Sequence, residues 1–139
     1  MSLAKADLEK LAECRLEDAR VLLNSRRYSA AYYLAGYSIE LALKACIAKQ
    51  FRQDVIPDKN FVSSIYSHKL EDLIRLAGLK KDYTDDISEN PRLKANWALV
   101  FNWSESKRYE SVDQFEAISL VYSISDHENG VLSWIKKYW

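Results

Sequence analysis

The sequence predicts an all-α bundle built round one central helix, and three observations carry that prediction. The run from Tyr28 to Lys49, YSAAYYLAGYSIELALKACIAK, is apolar or small on nearly every turn. A helix that is greasy over most of its circumference belongs inside a bundle. Only 3 Gly and 2 Pro occur in 139 residues that are 48% hydrophobic, which favours long helices over a turn-rich sheet protein. Several further segments repeat apolar residues at helical spacing. At this length a single domain spanning residues 1–139 is expected, with a core that needs neither disulfide nor metal.

Ala4 to Asn24 reads as the first helix, with Leu8, Leu11, Ala12, Leu16, Ala19, Leu22 and Leu23 on one side and Lys5, Glu9, Glu13 and Arg20 on the other. The turn Asn24-Ser25-Arg26-Arg27 is short, so the next helix is its antiparallel neighbour, with Ser29 the expected N-cap. On that central helix the one polar strip is Tyr33, Tyr37, Glu40 and Lys44, spaced so that all four share a face. Glu40 and Lys44 stand in the favourable order for an ion pair, about 0.3 kcal/mol if exposed. Gly36 costs about 1 kcal/mol against Ala inside a helix, so a neighbouring backbone is expected to pass close to it.

Periodicity is lost from Gln50 to Ser67, where Pro57-Asp58 and Asn60 predict a long loop. Ser67 then reads as the cap of a short helix, His68 to Ala77, closed by Gly78. Lys80 to Glu89 is polar, with room for a single helical turn. Asn90-Pro91 predicts a cap and a proline at the first helical position, ahead of an apolar face of Leu93, Trp97, Val100 and Phe101. After the polar segment Asn102 to Glu110, Ser111 with Gln114 reads as a capping box for a long last helix from Val112 toward Tyr138. Its stripe of Ala117, Val121, Ile124, Glu128, Val131 and Ile135 is interrupted at Asp126-His127-Glu128-Asn129-Gly130. The interruption means either a kink or a polar cluster inside the bundle.

Lys plus Arg and Asp plus Glu number 20 each, so no overall field draws the protein to nucleic acid or an anionic membrane. Any such binding must be local, and Arg26-Arg27 with Lys107-Arg108 are the basic clusters available for it if they converge. No stretch approaches the ~18 apolar residues of a membrane span and no signal pattern is visible, so cytoplasmic residence is expected. Cys14 and Cys46 fall on the first two helices with an axial offset of about 12 Å, too far for a disulfide, and both are expected to be buried thiols. Two Cys and two His without ligand spacing argue against a structural metal, and no cofactor is expected. The 9 Tyr, 4 Trp and 4 Phe exceed what a small core needs, which puts some at an interface or over the bundle ends.

Three segments in order, AAYYLAGYSIELALKACIAK (Ala30 to Lys49), SHKLEDLIRLAG (Ser67 to Gly78) and KRYES (Lys107 to Ser111), resemble the HEPN domain family over nearly the whole chain. The resemblance implies an antiparallel up-and-down bundle of about five helices. It also implies a homodimer, often encoded beside a minimal nucleotidyltransferase in a toxin-antitoxin pair. Active members are metal-independent ribonucleases marked by an arginine and a histidine with four to six residues between them. Here those positions hold Phe61, Val62 and Ser63 before His68, and Leu120, Val121 and Tyr122 before His127. The resemblance therefore implies a dimeric interaction or nucleotide/RNA-binding module that works with a nucleotidyltransferase in a toxin-antitoxin or related defence pair. The alternative is a metal-independent ribonuclease whose site has another composition.

Cleaving RNA without a metal needs a base for the 2′-hydroxyl proton and a cation for the charge that develops on phosphorus. The candidate catalytic residues are His68, Arg108 and Tyr109. His68 could be the base, because an unperturbed imidazole exchanges its proton near neutrality, but a residue in the first turn of a helix can also simply pack or bond locally. Arg108 and Tyr109 fall in the family's Arg-Tyr position, suited to holding a phosphate and stacking a base. Equally, Arg108 could pair with Glu40 and Tyr109 fill a gap in the core. Tyr33, Tyr37, Glu40, Lys44, Trp103, Arg108 and Tyr109 are the candidate binding residues, and a closed apolar cavity lined by Tyr33, Tyr37 and Trp103 is a further alternative.

Overall fold

Alanine, leucine and isoleucine dominate the chain after Arg27, and there it folds as one uninterrupted helix. A computed structural model describes residues 3–139, in which that helix, α2, runs over Tyr28–Ala48. Ala35, Ile39, Ala42 and Leu43 are wholly buried along it. Burying one such Leu or Ile side chain contributes about 1.5–3 kcal/mol, so α2 is where most of the driving force collects. Around it lie α1 (Lys5–Asn24), α3 (Lys59–Ser64), α4 (Leu70–Leu76), α5 (Lys80–Glu89), α6 (Pro91–Phe101), a 3₁₀ turn (Glu105–Tyr109), α7 (Gln114–Ser125) and α8 (Val131–Lys136). The helix α2 packs against α1, α4, the 3₁₀ turn, α7 and α8, and no strand occurs among the described residues. The all-α bundle with a central second helix is as expected, but the described residues form eight α-helices rather than about five.

On α1 the buried residues are Leu8, Ala12, Leu16 and Ala19. Leu11 lies one step of about 100° off that line and is exposed, so the apolar stripe is narrower than the pattern implied. Arg26 closes the helix in the left-handed region, with Arg26 N–H donating to Leu23 and Arg27 N–H to Leu22, a Schellman turn that folds the chain straight back. Ser29 does not cap α2, which begins at Tyr28. Its hydroxyl instead accepts from Val112 N–H at 2.9 Å and ties the approach to α7 onto the start of the central helix.

The predicted loop after α2 contains α3, capped by Asp58 accepting from Phe61 N–H at 3.0 Å. Six residues span too little helix for periodicity to show. Next, α4 starts at Leu70 rather than His68, because the Ser67 hydroxyl accepts from Lys69 N–H and closes a local turn instead of capping. Gly78 ends α4 with φ 75 in the same Schellman arrangement as Arg26. Lys80–Glu89 is a full helix, α5, where a single turn was expected. It docks through half-buried Tyr83 and Ile87, and Asp86 accepts from Trp134 Nε1 at 2.8 Å. Such a helix owes its stability to tertiary contacts more than to its own pattern. The α6 start is as predicted, with Asn90 accepting from Leu93 N–H and Pro91 at the first position.

Asp113, accepting from Glu116 N–H at 2.8 Å, caps α7 in place of Ser111. The long last helix is broken outright into α7 and α8, neither kinked nor interrupted by a buried polar cluster, and Glu128 and His127 are exposed. Asp126 turns the chain by accepting from Asn129 N–H, while Asn90 and Asn96 donate to Asn129. A side chain on Gly130 would collide with the carbonyl oxygens of Asp126 and Ile124, so the turn requires glycine.

Both cysteines are free; Cys46 is buried as expected, and burial pushes its thiol up to about 11, but Cys14 is exposed on the outer face of α1. The aromatics divide between two roles. Tyr83, Trp97, Phe101, Trp134 and Tyr138 interlock at one end of the bundle, largely edge to face. Tyr66, Tyr109, Phe115 and Tyr122 are exposed. No described helix is long and apolar enough to cross a membrane.

Gly36 faces not a backbone but the Trp103 indole, whose ring atoms fill the space a Cβ would occupy. Gly36→Ala gains about 1 kcal/mol of helix propensity and loses about 1–3 kcal/mol to overpacking, so a net loss of roughly 0–2 kcal/mol is expected in chemical denaturation. A stabilised variant would mean that the indole does not sit there.

Candidate functional site

The polar strip of α2 is less exposed than its composition implies. Glu40, expected as half of a surface pair, is 1% exposed. A carboxylate taken out of water must find donors, and the fold supplies two. Lys44 Nζ, one turn on, donates to Glu40 Oε2 at 3.2 Å. His68 Nδ1 lies 3.1 and 3.2 Å from the two Glu40 oxygens. Because α4 begins only at Leu70, His68 sits in the extended stretch ahead of it, and buried Leu70 and Leu73 hold that stretch against α2. An ionised carboxylate only accepts, so Nδ1 carries the hydrogen and Nε2 is the nitrogen turned toward Glu105.

The line continues on the 3₁₀ turn. His68 Nε2 lies 3.4 Å from Glu105 Oε2, and the other Glu105 oxygen accepts from Arg108 Nη1 at 3.2 Å. The Arg108 guanidinium rests 4.8 Å from the centre of the Tyr109 ring. Two cations and two carboxylates, Lys44, Glu40, Glu105 and Arg108, with the His68 imidazole between the carboxylates, therefore form one line beside the central helix. Beside them Tyr33 stacks on Tyr37 with centroids 6.1 Å apart and meets Trp103 at 5.9 Å. Burial pushes the Tyr37 hydroxyl above its ordinary value, and the nearby Glu40 carboxylate adds to the shift.

The structure thus brings His68, Glu40 and Lys44 into contact and joins Arg108 to them, but not as expected. Arg108 does not pair with Glu40; Glu105 stands between Arg108 and His68. Tyr109 is exposed and fills no gap in the core. Tyr33 packs between Tyr37 and Trp103, stacked on the first and tilted against the second, and the three line no closed cavity. An apolar pocket of about 720 Å³ opens elsewhere, between the start of α1, the end of α2 and α3, walled by Leu8, Lys44, Ile47, Phe51, Val62 and Tyr66. His127 lies apart, in a shallow cleft with Arg20 and Lys136. Glu105 is the residue that sequence reasoning missed. Its only local signal was a carboxylate three residues before Arg108, which reads as an ordinary surface pair.

Among the described residues no three His, Cys, Asp or Glu side chains converge as metal ligands. The chemistry on offer is one ring nitrogen and one guanidinium, both set against the Glu105 carboxylate, with aromatic faces beside them. These are the parts that hold a phosphate and stack a base. A family model for the HEPN domain matches residues 6–136. No curated protein and no solved structure matches the chain.

If Glu40 holds His68, the two are energetically coupled. Glu40→Gln should cost about 1–3 kcal/mol by leaving a poorer acceptor for two donors. His68→Ala, at an exposed ring, should cost under about 1 kcal/mol, with a coupling of at least about 0.5 kcal/mol in the double-mutant cycle. Strictly additive losses would mean that the contact carries nothing.

Proposed function

The chain belongs to the HEPN domain family, and from that premise we propose that it is a cytoplasmic, homodimeric module whose single domain binds a nucleotide or RNA. The binding face is the edge of α2 with Tyr33, Tyr37, Glu40 and Lys44, completed by Trp103, Arg108 and Tyr109. The partner is a nucleotidyltransferase in a toxin-antitoxin or related defence pair, a role that follows from the family resemblance. One observation carries the binding role: the Glu40–His68–Glu105–Arg108 line runs directly beside a cluster of aromatic rings. In a chain with zero net charge the attraction for a phosphate has to be local, and Arg108 is the exposed cation of this line that supplies it. Arginine engages a phosphate through paired N–H groups, and base stacking on aromatic rings contributes about 1–3 kcal/mol per base.

Cleavage is the second reading, and the Glu40–His68 contact favours it. A carboxylate that holds Nδ1 orients the ring and leaves Nε2 able to take the 2′-hydroxyl proton. The oxygen then attacks the adjacent phosphorus, Arg108 stabilises the added charge, and the 5′-oxygen leaves with the proton that His68 Nε2 took up, delivered directly or through water. The products are a 2′,3′-cyclic phosphate and a 5′-hydroxyl end. Against it stands the absence of arginine at positions 61–63, where the family's nuclease signature requires one.

Phe115 and Tyr122, seven residues apart on one face of α7, are 78% and 68% exposed and support the dimer. Aromatic residues are enriched at such interfaces. Replacing both with Glu should convert a dimer to a monomer in sedimentation equilibrium; a wild-type protein that is already monomeric at tens of micromolar removes the dimer from the proposal.

Incubation with transfer RNA in chelator separates the two functional readings. The binding module retards the RNA and leaves it intact, and Arg108→Ala weakens retention about tenfold, the size expected for one charged phosphate contact. Cleavage by the wild type that disappears in both Arg108→Ala and His68→Ala would overturn the binding-only reading.

A further inference from the structure

Glu105 is oddly placed for a residue with only a structural role. Its two oxygens are divided between two elements, Oε2 toward His68 Nε2 at 3.4 Å and Oε1 receiving Arg108 Nη1 at 3.2 Å. The side chain is only 34% exposed, although it stands at the start of a short, surface-lying 3₁₀ turn. Neither His68 nor Arg108 needs it for support. His68 is already anchored through Nδ1 by Glu40, and Arg108 rests on Tyr109.

We propose that the Glu105 carboxylate sits in the seat of a phosphate group and is displaced when a nucleotide phosphate or RNA phosphodiester binds between His68 Nε2 and Arg108. This assignment rests on the reading that the cleft binds nucleotides, and it names the atoms that hold the phosphate. Two phosphate oxygens are spaced much like two carboxylate oxygens, so they meet the same two groups, Arg108 and His68 Nε2, the latter donating when the imidazole carries a hydrogen on each nitrogen. A phosphodiester carries one negative charge, as Glu105 does, so the exchange leaves the charge of the cleft unchanged. That matters next to buried Glu40, where a net gain of negative charge would be costly. The displaced carboxylate needs only to rotate into water. Bound there, the phosphate places its sugar and base toward Tyr33 and Tyr109, the rings closest to Arg108 in the array. Glu105 accordingly works as an internal competitor that lowers affinity for anions until a ligand with both phosphate and base offers enough to replace it.

The test compares the full-length wild type, Glu105→Gln, Arg108→Ala, the Glu105→Gln/Arg108→Ala double variant, and Glu110→Gln. The last removes a carboxylate from the same segment that pairs with Lys107 rather than with the cleft. Binding of inorganic phosphate and of a fluorescein-labelled oligouridylate is measured at fixed ionic strength. Glu105→Gln should tighten both by about tenfold, the effect of removing a competitor held by two partly exposed charge contacts. Glu110→Gln should change them less than about twofold, and Arg108→Ala should abolish the gain in the double variant. Equal tightening by Glu105→Gln and Glu110→Gln, or none by either with binding intact, overturns the seat while leaving the nucleotide reading in place. Failure of every protein to bind either probe overturns both.

Discussion

A carboxylate on an otherwise apolar helix is the constraint on which the rest of this structure depends. Glu40 lies mid-way along α2, buried to 1% exposure among Ile39, Leu41 and Leu43. Left alone there it would be too costly to keep charged, so the fold must bring donors to it. Lys44 arrives by helical spacing at no topological cost. His68 arrives only because α4 packs on α2 and starts two residues later than its sequence pattern implied. One local shift in a helix start therefore decides whether the imidazole is a packing residue or part of a polar array.

A second contact sets the other half of the site. Gly36 removes the one side chain that would keep the Trp103 indole away from α2, and Trp103 in turn draws the segment after α6 across the central helix. The 3₁₀ turn that follows carries Glu105, Arg108 and Tyr109 to the His68 end of the strip. Ser29 closes the far side of that segment by accepting from Val112 N–H. The buried hydroxyls elsewhere on the core, Ser38 and Ser123, are satisfied within their own helices by Ala35 and Leu120 carbonyls.

The outline of the fold was legible in the sequence wherever a single helix could state it. The central position of α2 followed from its apolar circumference, the α1–α2 hairpin from a four-residue turn, and the start of α6 from Asn90-Pro91. What was not legible depended on neighbours. Ser29, Ser67 and Ser111 all read as caps, but Ser29 accepts from Val112 N–H, Ser67 from Lys69 N–H, and Asp113 caps α7 in place of Ser111. The α5 helix carries too few apolar residues to announce itself and is held by Asp86 against Trp134. Cys14 and Leu11 fell on the outside because the contact stripe of α1 is narrower than its hydrophobic one.

For the site, the sequence by itself determined the strip Tyr33, Tyr37, Glu40 and Lys44, because spacing along one helix dictates which side chains share a face. It also singled out His68, Arg108 and Tyr109, and related them to that strip only through a pairing of Arg108 with Glu40 that the fold does not make. Tertiary structure alone decided that His68 meets Glu40, that Glu105 comes between His68 and Arg108, and that Tyr109 faces water. The physical reason is one of range. Helical periodicity governs neighbours three or four residues apart, whereas the pairing of residues 40, 68 and 105 is decided by which helices pack against each other and by what a buried charge will accept.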